Sequence, residues 1–325
     1  MADPAQTSLF DLFDPGHSGA AAKSRPVKWS YSRRGNFETC LLKYYYQYYG
    51  SSARSAPNEP LKEQLKHLKG LKSIPLRMGE IVHFVIDRHF KRLRENPGIT
   101  NTGIDSWARD MFRNDLEASL EYQRTRQPSS SQYAVLLSDF VLGDDAAMER
   151  WNSANESLGT AVSNFLLSRQ FETFRYGGLH SDAILEARLS IKFGESSASG
   201  KIDLAFPTED GISIVDWKTG TSTSADDSLQ LLSYALLVSN KLGIDPERIR
   251  IFKAYLELDS VTEDRASVQE ILRAKARIIQ DIGRMEAMDR YGATGVSGAF
   301  TASEHPKICR MCPFRTVCPE FQRSN

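Results

Sequence analysis

Three runs of alternating apolar and polar residues stand side by side between Ala183 and Gly220: "AILEARLSIKF", "GKIDLAF" and "GISIVDWKTG". Period-two alternation in short runs separated by tight turns marks adjacent strands. A helix is expected next, from about Asp226 to Leu242 and stopped by Gly243, followed by a further strand in "RIRIFKAYLEL". Strands joined by short turns pair antiparallel, whereas a strand reached through a helix can pair parallel. The expected fold class is therefore α/β with a mixed central sheet and helical insertions. The third run ends oddly. Asp216 and Lys218 flank Trp217, so both point to one face of the strand, and burying either charge is costly unless something answers it.

The rest of the chain divides around this block. Residues 1–28, rich in Ala, Ser, Pro and Gly, are expected to be a disordered tail. Residues 29–325 are expected to form one domain, with a helical part over about 30–178, a sheet core over about 180–260, and a long helix with a cysteine-rich tail over about 261–325. A helix is expected from Ser30 to Gly50, loaded with tyrosines, and the long late helix from about Asp264 to Tyr291. Between Lys62 and Arg94 lysines and arginines are dense, which is either a phosphate footprint or a solvated helix face.

Bulk numbers exclude little. Lys plus Arg and Asp plus Glu both count 41 in 325 residues, so net charge names no polyanionic partner. No apolar run is long enough to span a membrane and no signal peptide is evident, which gives the expectation of a cytoplasmic protein without a membrane partner.

Asp203 interrupts "GKIDLAF" on the face opposite to Ile202, Leu204 and Phe206, so two neighbouring strands each offer a carboxylate beside an amine. Close carboxylates repel unless a cation sits between them, and an oxygen-rich site suits Mg²⁺ or Mn²⁺ better than zinc. Lys218 could then offset charge on a phosphoryl group. The alternative is a salt-bridged strand end. The wider set favours the first reading. Glu186, Gly200-x-x-Asp203, Asp216-Trp217-Lys218 and Gln230-x-x-x-Tyr234 resemble the PD-(D/E)XK nuclease superfamily, more narrowly its RecB-like branch. "MGEIVHFVIDRHF", with Gly79 and His83, resembles the upstream helix that supplies a histidine ligand there.

The resemblance implies a restriction-endonuclease-like fold. His83, Asp203 and Asp216, with the carbonyl of Trp217, would bind the metal. Lys218 would assist water attack, and Gln230 with Tyr234 would position the strand or Lys218. Glu186 would hold metal through water or orient Lys218. His67, His89 and His180 lack such context and are assigned to structure or surface. "GESSASGKI" imitates a phosphate-binding loop, but its spacing is wrong and it lies between strands instead of opening a helix.

Cys309, Cys312 and Cys318 cluster at ligand spacing, with Cys40 far upstream. The pattern is similar to a RecB-like subset that includes CRISPR-associated exonucleases and AddB-type nuclease domains. That resemblance implies that the four thiolates hold a 4Fe–4S cluster, although four cysteines can equally hold zinc. Linking residues so far apart in sequence would restrict the unfolded chain, as a disulfide does.

"QTSLF" in the tail resembles peptides that bind the replication sliding clamp, with Gln6, Leu9 and Phe10 as its contacts. The implied function is a metal-dependent DNA nuclease, a phosphodiester hydrolase acting as an exonuclease on single-stranded or end-bearing DNA in repair, recombination or defence. A helicase, repair or CRISPR partner would accompany it. The rivals are a non-catalytic iron–sulfur DNA-binding or scaffold subunit beside a helicase, and a zinc-bearing interaction protein.

Overall fold

The structure is a computed structural model describing residues 26–52, 59–127, 134–220, 228–293, 297–303 and 305–323. The tail peptide with Gln6, Leu9 and Phe10 lies outside the described residues.

The first described element is a short strand, β1 (Lys28–Trp29), so Lys28 belongs to the sheet and not to the tail. The expected helix from Ser30 to Gly50 is interrupted. It divides into α1 (Tyr31–Thr39), α2 (Leu41–Tyr45) and a π-helical turn over Tyr46–Gly50. The break is Cys40, whose extended backbone closes one helix while its sulfur accepts the Lys43 N–H that opens the next. A helical layer follows: α3 (Glu59–Gly70), α4 (Ile74–Glu95), α5 (Ile104–Thr125), α6 (Ser138–Val141), α7 (Ala147–Leu167) and α8 (Glu172–Leu179). Next come β2 (Ile184–Phe193), β3 (Ser196–Thr208), β4 (Gly211–Lys218), α9 (Ser228–Leu242) and β5 (Ile249–Tyr255). The chain then forms β6 (Ser260–Arg265), α10 (Val268–Ala293), α11 (Pro306–Arg310) and α12 (Pro319–Arg323).

Among the described residues the sheet has six strands, in the order β1-β3-β4-β5-β6 with β2 along the other edge of β3. β2, β3 and β4 pair antiparallel in sequence, and β4–β5 is parallel across α9, as the turn lengths require. The rejected phosphate-loop lookalike is mostly strand, since β3 begins at Ser196.

β6 is unexpected from the sequence: its first four residues are assigned to no element there, and its last two, Asp264 and Arg265, fall at the start of the expected long helix. The helix instead starts after Ser267, whose N–H donates to Glu270 Oε2 at 2.9 Å while its hydroxyl accepts the Glu270 N–H at 3.3 Å. This reciprocal pair is a capping box, and Ser267 and Glu270 carried that signal in the sequence.

Two apolar clusters sandwich the sheet. Ile212 and Ile214 of β4 pack with α9, α10 and the N-terminal helices. Val215 and Trp217 pack with α4, α5, α7 and α8. Each such side chain, buried below 5% exposure, contributes about 1.5–3 kcal/mol. One expectation fails here. Ile202 packs in the first cluster and Leu204 with Phe206 in the second, so they do not share a face. The alternation breaks at Asp203, where the register places Glu186 opposite, and Glu186 has a left-handed φ of 46°. That conformation is strained for a residue with a side chain.

Candidate active site

The break in the pleat and the end of β4 bring the charged residues together. β3 and β4 stop pairing at Leu204–Val215, and the Asp203 carboxylate takes over by accepting the Trp217 N–H at 3.0 Å. Asp216 and Lys218, two residues apart, form an ion pair of 2.8 Å as the strand period demands. α9 lies close over this end because Gly200 permits it. A Cβ there would sit 2.9 Å from Leu237 and 3.0 Å from Tyr234. From α9, Gln230 accepts from Lys218 Nζ at 3.2 Å, and its amide faces Asp216 at 3.4 Å and the Tyr234 hydroxyl at 2.8 Å. Gln230 is therefore the joint between carboxylate, amine and phenol.

α4 closes the other side. Its Gly79 lets the helix approach Thr219, which a Cβ would meet at 3.2 Å. One turn on, His83 Nε2 lies 3.0 Å from the Trp217 carbonyl oxygen, while Nδ1 is 3.2 Å from Asp203 and 3.4 Å from Glu186. The candidate ligand atoms of His83, Glu186 and Asp203 all fall within 4.8 Å of one another. Glu186 also pairs with Lys201, which directly follows Gly200 and is no part of the motif. Lys218 is oriented by Asp216 and Gln230, with Glu186 directed instead to His83 and Lys201.

The electrostatics are those of a site short of positive charge. Burial and the neighbouring Asp203 raise Asp216 to about 6, against the opposing pull of Lys218. Burial disfavours a charged His83, yet Asp203 and Glu186 outweigh it and raise the imidazole well above its usual range. Burial, with Asp216 nearby, pushes the Tyr234 phenol upward, so it stays a neutral hydrogen-bonding group. Two buried carboxylate oxygens, Glu186 Oε1 and Asp216 Oδ2, make only ion-pair contacts and no hydrogen bond. Glu186 Oε1, grouped with His83 and Asp203, belongs to a donor set that a hard divalent cation fits, whereas Asp216 Oδ2 lies outside that trio and faces the Lys218 ammonium.

A model of the PD-(D/E)XK nuclease superfamily matches residues 28–319. The chain belongs to this superfamily. A crystal structure of a provisionally assigned exonuclease from Eubacterium rectale overlaps this PD-(D/E)XK chain with a TM-score of 0.40 at 14% identity, over 86% of this chain and 90% of that one. The crystal structure of SSO0001 overlaps with a TM-score of 0.30 at 16% identity, over 54% and 78% respectively. Neither overlap is close enough to bear on fold or activity. No curated protein matches the chain in sequence.

Elsewhere in this PD-(D/E)XK protein, Cys40, Cys309, Cys312 and Cys318 line one pocket, and none is in a disulfide. The Cys40 sulfur accepts the N–H groups of Lys43 and Ser303, both at 3.4 Å. Burial pushes the Cys312 thiol up to about 11, and burial with Cys318 and Cys40 nearby raises Cys309. The four sulfurs share a pocket but do not form a tight trio of ligand atoms like that of His83, Glu186 and Asp203, and the amide donors at Cys40 are of the kind that support a thiolate. Independently of any metal, Asp281 of α10 ties down the N-terminal segment by accepting from Trp29 Nε1 at 3.3 Å and pairing with Arg34 at 3.1 Å.

The basic stretch from Lys62 to Arg94 proves to be largely committed. Lys72 pairs with Glu80, Arg77 with Asp115 and Lys91 with Asp87. Arg92 lies over Trp107, and Arg94 donates to the Gly178 and His180 carbonyls. His89 is buried and hydrogen-bonded to Thr102, and His67 stacks on Tyr122, as structural roles require. His180 is at the surface. No helix among the described residues is long and apolar enough to cross a membrane.

Proposed function

We propose that the protein is a divalent-metal-dependent deoxyribonuclease of the RecB-like branch, acting on single-stranded or end-bearing DNA. The observation that carries this is the convergence of His83, Glu186 and Asp203 beside the Asp216–Lys218–Gln230 joint at one strand end. His83, Asp203, Asp216 and Glu186, with the Trp217 carbonyl, are the groups that would hold Mg²⁺ or Mn²⁺. A cation there supplies polarisation of the phosphoryl group and acidification of water.

The protein's own groups do the rest. Lys218, held by Asp216 and Gln230, presents an ammonium that offsets charge building on the phosphoryl oxygens. Gln230 and Tyr234 are positioning residues that fix the rotamer of Lys218. All of the positions that the chemistry needs are filled, which favours catalysis over a scaffold role.

The test is cleavage of end-labelled linear and circular single-stranded DNA with Mg²⁺ or Mn²⁺. Lys218→Ala and Asp216→Ala should each lower the rate by about 10²–10³ or more, and circular DNA should resist. A wild type that cuts nothing, or variants that cut as well as it does, would end the catalytic reading. Calorimetry of Mn²⁺ binding to His83→Ala gives a readout without turnover, and weaker binding is expected.

We also propose that the cysteine pocket holds a 4Fe–4S cluster clasping Cys40 to the C-terminal segment. Protein purified without oxygen should be brown and contain iron and sulfide. A colourless protein with one zinc would replace the cluster by a zinc clasp.

A further inference from the structure

A second set of cations leads away from the catalytic cluster along the β2–β3 ribbon. The register puts Arg188 opposite Lys201, Ser190 opposite Ser199, and Lys192 opposite Ser197. β1 lies on the other side of β3 and adds Lys28 beside Ser197. The intervening Leu189, Ile191, Ala198 and Trp29 are buried against the core, so this row of residues occupies the opposite face. Lys28, Arg188, Ser190, Lys192 and Lys201 are all exposed.

The face is therefore ordered. A row with two cations adjoins the site, a row of two serines follows, and a row with two more cations lies beyond it. Rows repeat about every 6.6 Å, the two-residue step of a strand, close to the distance between successive phosphates of an extended nucleic-acid chain. The first row touches the catalytic cluster directly, since Lys201 pairs with Glu186. Arg188 donates to Ser199 Oγ at 3.3 Å, and no carboxylate pairs with Lys28, Arg188 or Lys192 among the described residues. Beyond Glu186, the next acid along the ribbon is Glu195, in the turn at its far end.

We propose that this face is a track for the phosphates of one DNA strand, running from the ribbon's turn to the catalytic cluster. The proposal rests on the nuclease reading above and adds where the substrate lies. One strand fits because the rows run in single file on a face about three strands wide, roughly 10 Å between its outer strands. A duplex would place its second backbone beyond the ribbon. The arrangement is sequence-independent, with cations and hydroxyls that meet phosphates and no groups arranged to read bases.

The test uses the full chain in EDTA, with a fluorescent single-stranded oligothymidylate and a blunt duplex of equal length. Arg188→Ala/Lys192→Ala should bind the single strand at least about ten-fold more weakly, with a log–log salt slope shallower by about 1.4, or 0.7 per lost phosphate contact. Arg188→Lys/Lys192→Arg should retain binding. The alanine variant should melt like wild type and hydrolyse bis(p-nitrophenyl) phosphate with Mn²⁺ at the wild-type rate, because that ester is too short to reach the ribbon. Unchanged affinity and slope, in a wild type that binds, would overturn the track and leave the nuclease standing. An equal loss on the duplex would overturn the assignment to a single strand. If wild type neither binds DNA nor hydrolyses either substrate, the nuclease reading itself falls and the track with it.

Discussion

The α3–α4 segment and the β2–β3 ribbon both carry positive charge, and they use it differently. In the α3–α4 segment nearly every cation has an internal partner: Arg77 is bound to Asp115, Lys91 to Asp87, and Arg94 to the Gly178 carbonyl at the end of α8 and the His180 carbonyl after it. On the β2–β3 ribbon and its neighbour β1, Arg188, Lys192 and Lys28 face water, with no carboxylate paired to them among the described residues. The first region is denser in the sequence. The second is the one with charge available to a ligand. Charge density along a chain thus says little about electrostatic function until each cation has been matched with what surrounds it.

The largest effect that would test this contrast comes from Arg77. Its Nε lies 2.6 Å from Asp115, whose side chain is 1% exposed and also accepts the Val135 N–H at 2.7 Å. Burial raises the Asp115 carboxyl, and Arg77 is the main group that opposes it. Arg77→Ala should cost about 3–5 kcal/mol, because it strands a buried charge. Adding Asp115→Asn should recover part of that loss in urea unfolding, and DNA affinity per folded molecule should not change. A weaker affinity in the folded variant would return α4 to the DNA interface.

Next in size is a pH effect from the same helix. His89 is enclosed by Phe90 and Phe165, and burial, helped by the Arg175 charge, lowers it from its usual 6.5 to about 4. The folded state thus favours neutral imidazole. The associated stability is complete above pH 6.5 and is lost as pH falls toward 4, by about 3 kcal/mol in all. Unfolding measured at pH 7.5 and 4.5 should show this loss in wild type and a flatter profile in His89→Gln. Equal profiles would mean that His89 is not held neutral.

Much of the site was legible because it is written in short periods. Asp216 and Lys218 share a face by strand alternation, and Gln230 and Tyr234 share one by helical spacing, so each pair could be assembled from sequence alone. The core strands and α9 followed from the same periods. What escaped had a different cause. Asp203 and Glu186 are both named through the resemblance, but no alternation rule anticipates the inversion of the pleat at Asp203, and the left-handed φ of Glu186 has no residue-type signal. Lys201 and Arg188 meet only through an antiparallel register. β1 is two residues long, too short for any period, whereas β6 is a polar edge strand whose first residues show no apolar alternation and whose last two fall in a helix expected to start before the Ser267–Glu270 cap.

The smallest predicted effect is the most discriminating. Lys66 and Lys192 are both exposed lysines, and a sequence-level count treats them alike. Lys66 is held by Glu63 in an i,i+3 pair at 2.5 Å, with both side chains solvated, an arrangement worth about 0.2–0.5 kcal/mol. Lys66→Glu should therefore leave the melting temperature nearly unchanged and alter affinity for single-stranded DNA by less than about two-fold, since screening removes distant charge within about 8–10 Å. Lys192→Glu makes the same change of charge and should weaken binding severalfold more, with the gap closing as salt is raised. Equal effects from the two reversals would show that DNA senses only net charge. The ribbon would then have no privileged role.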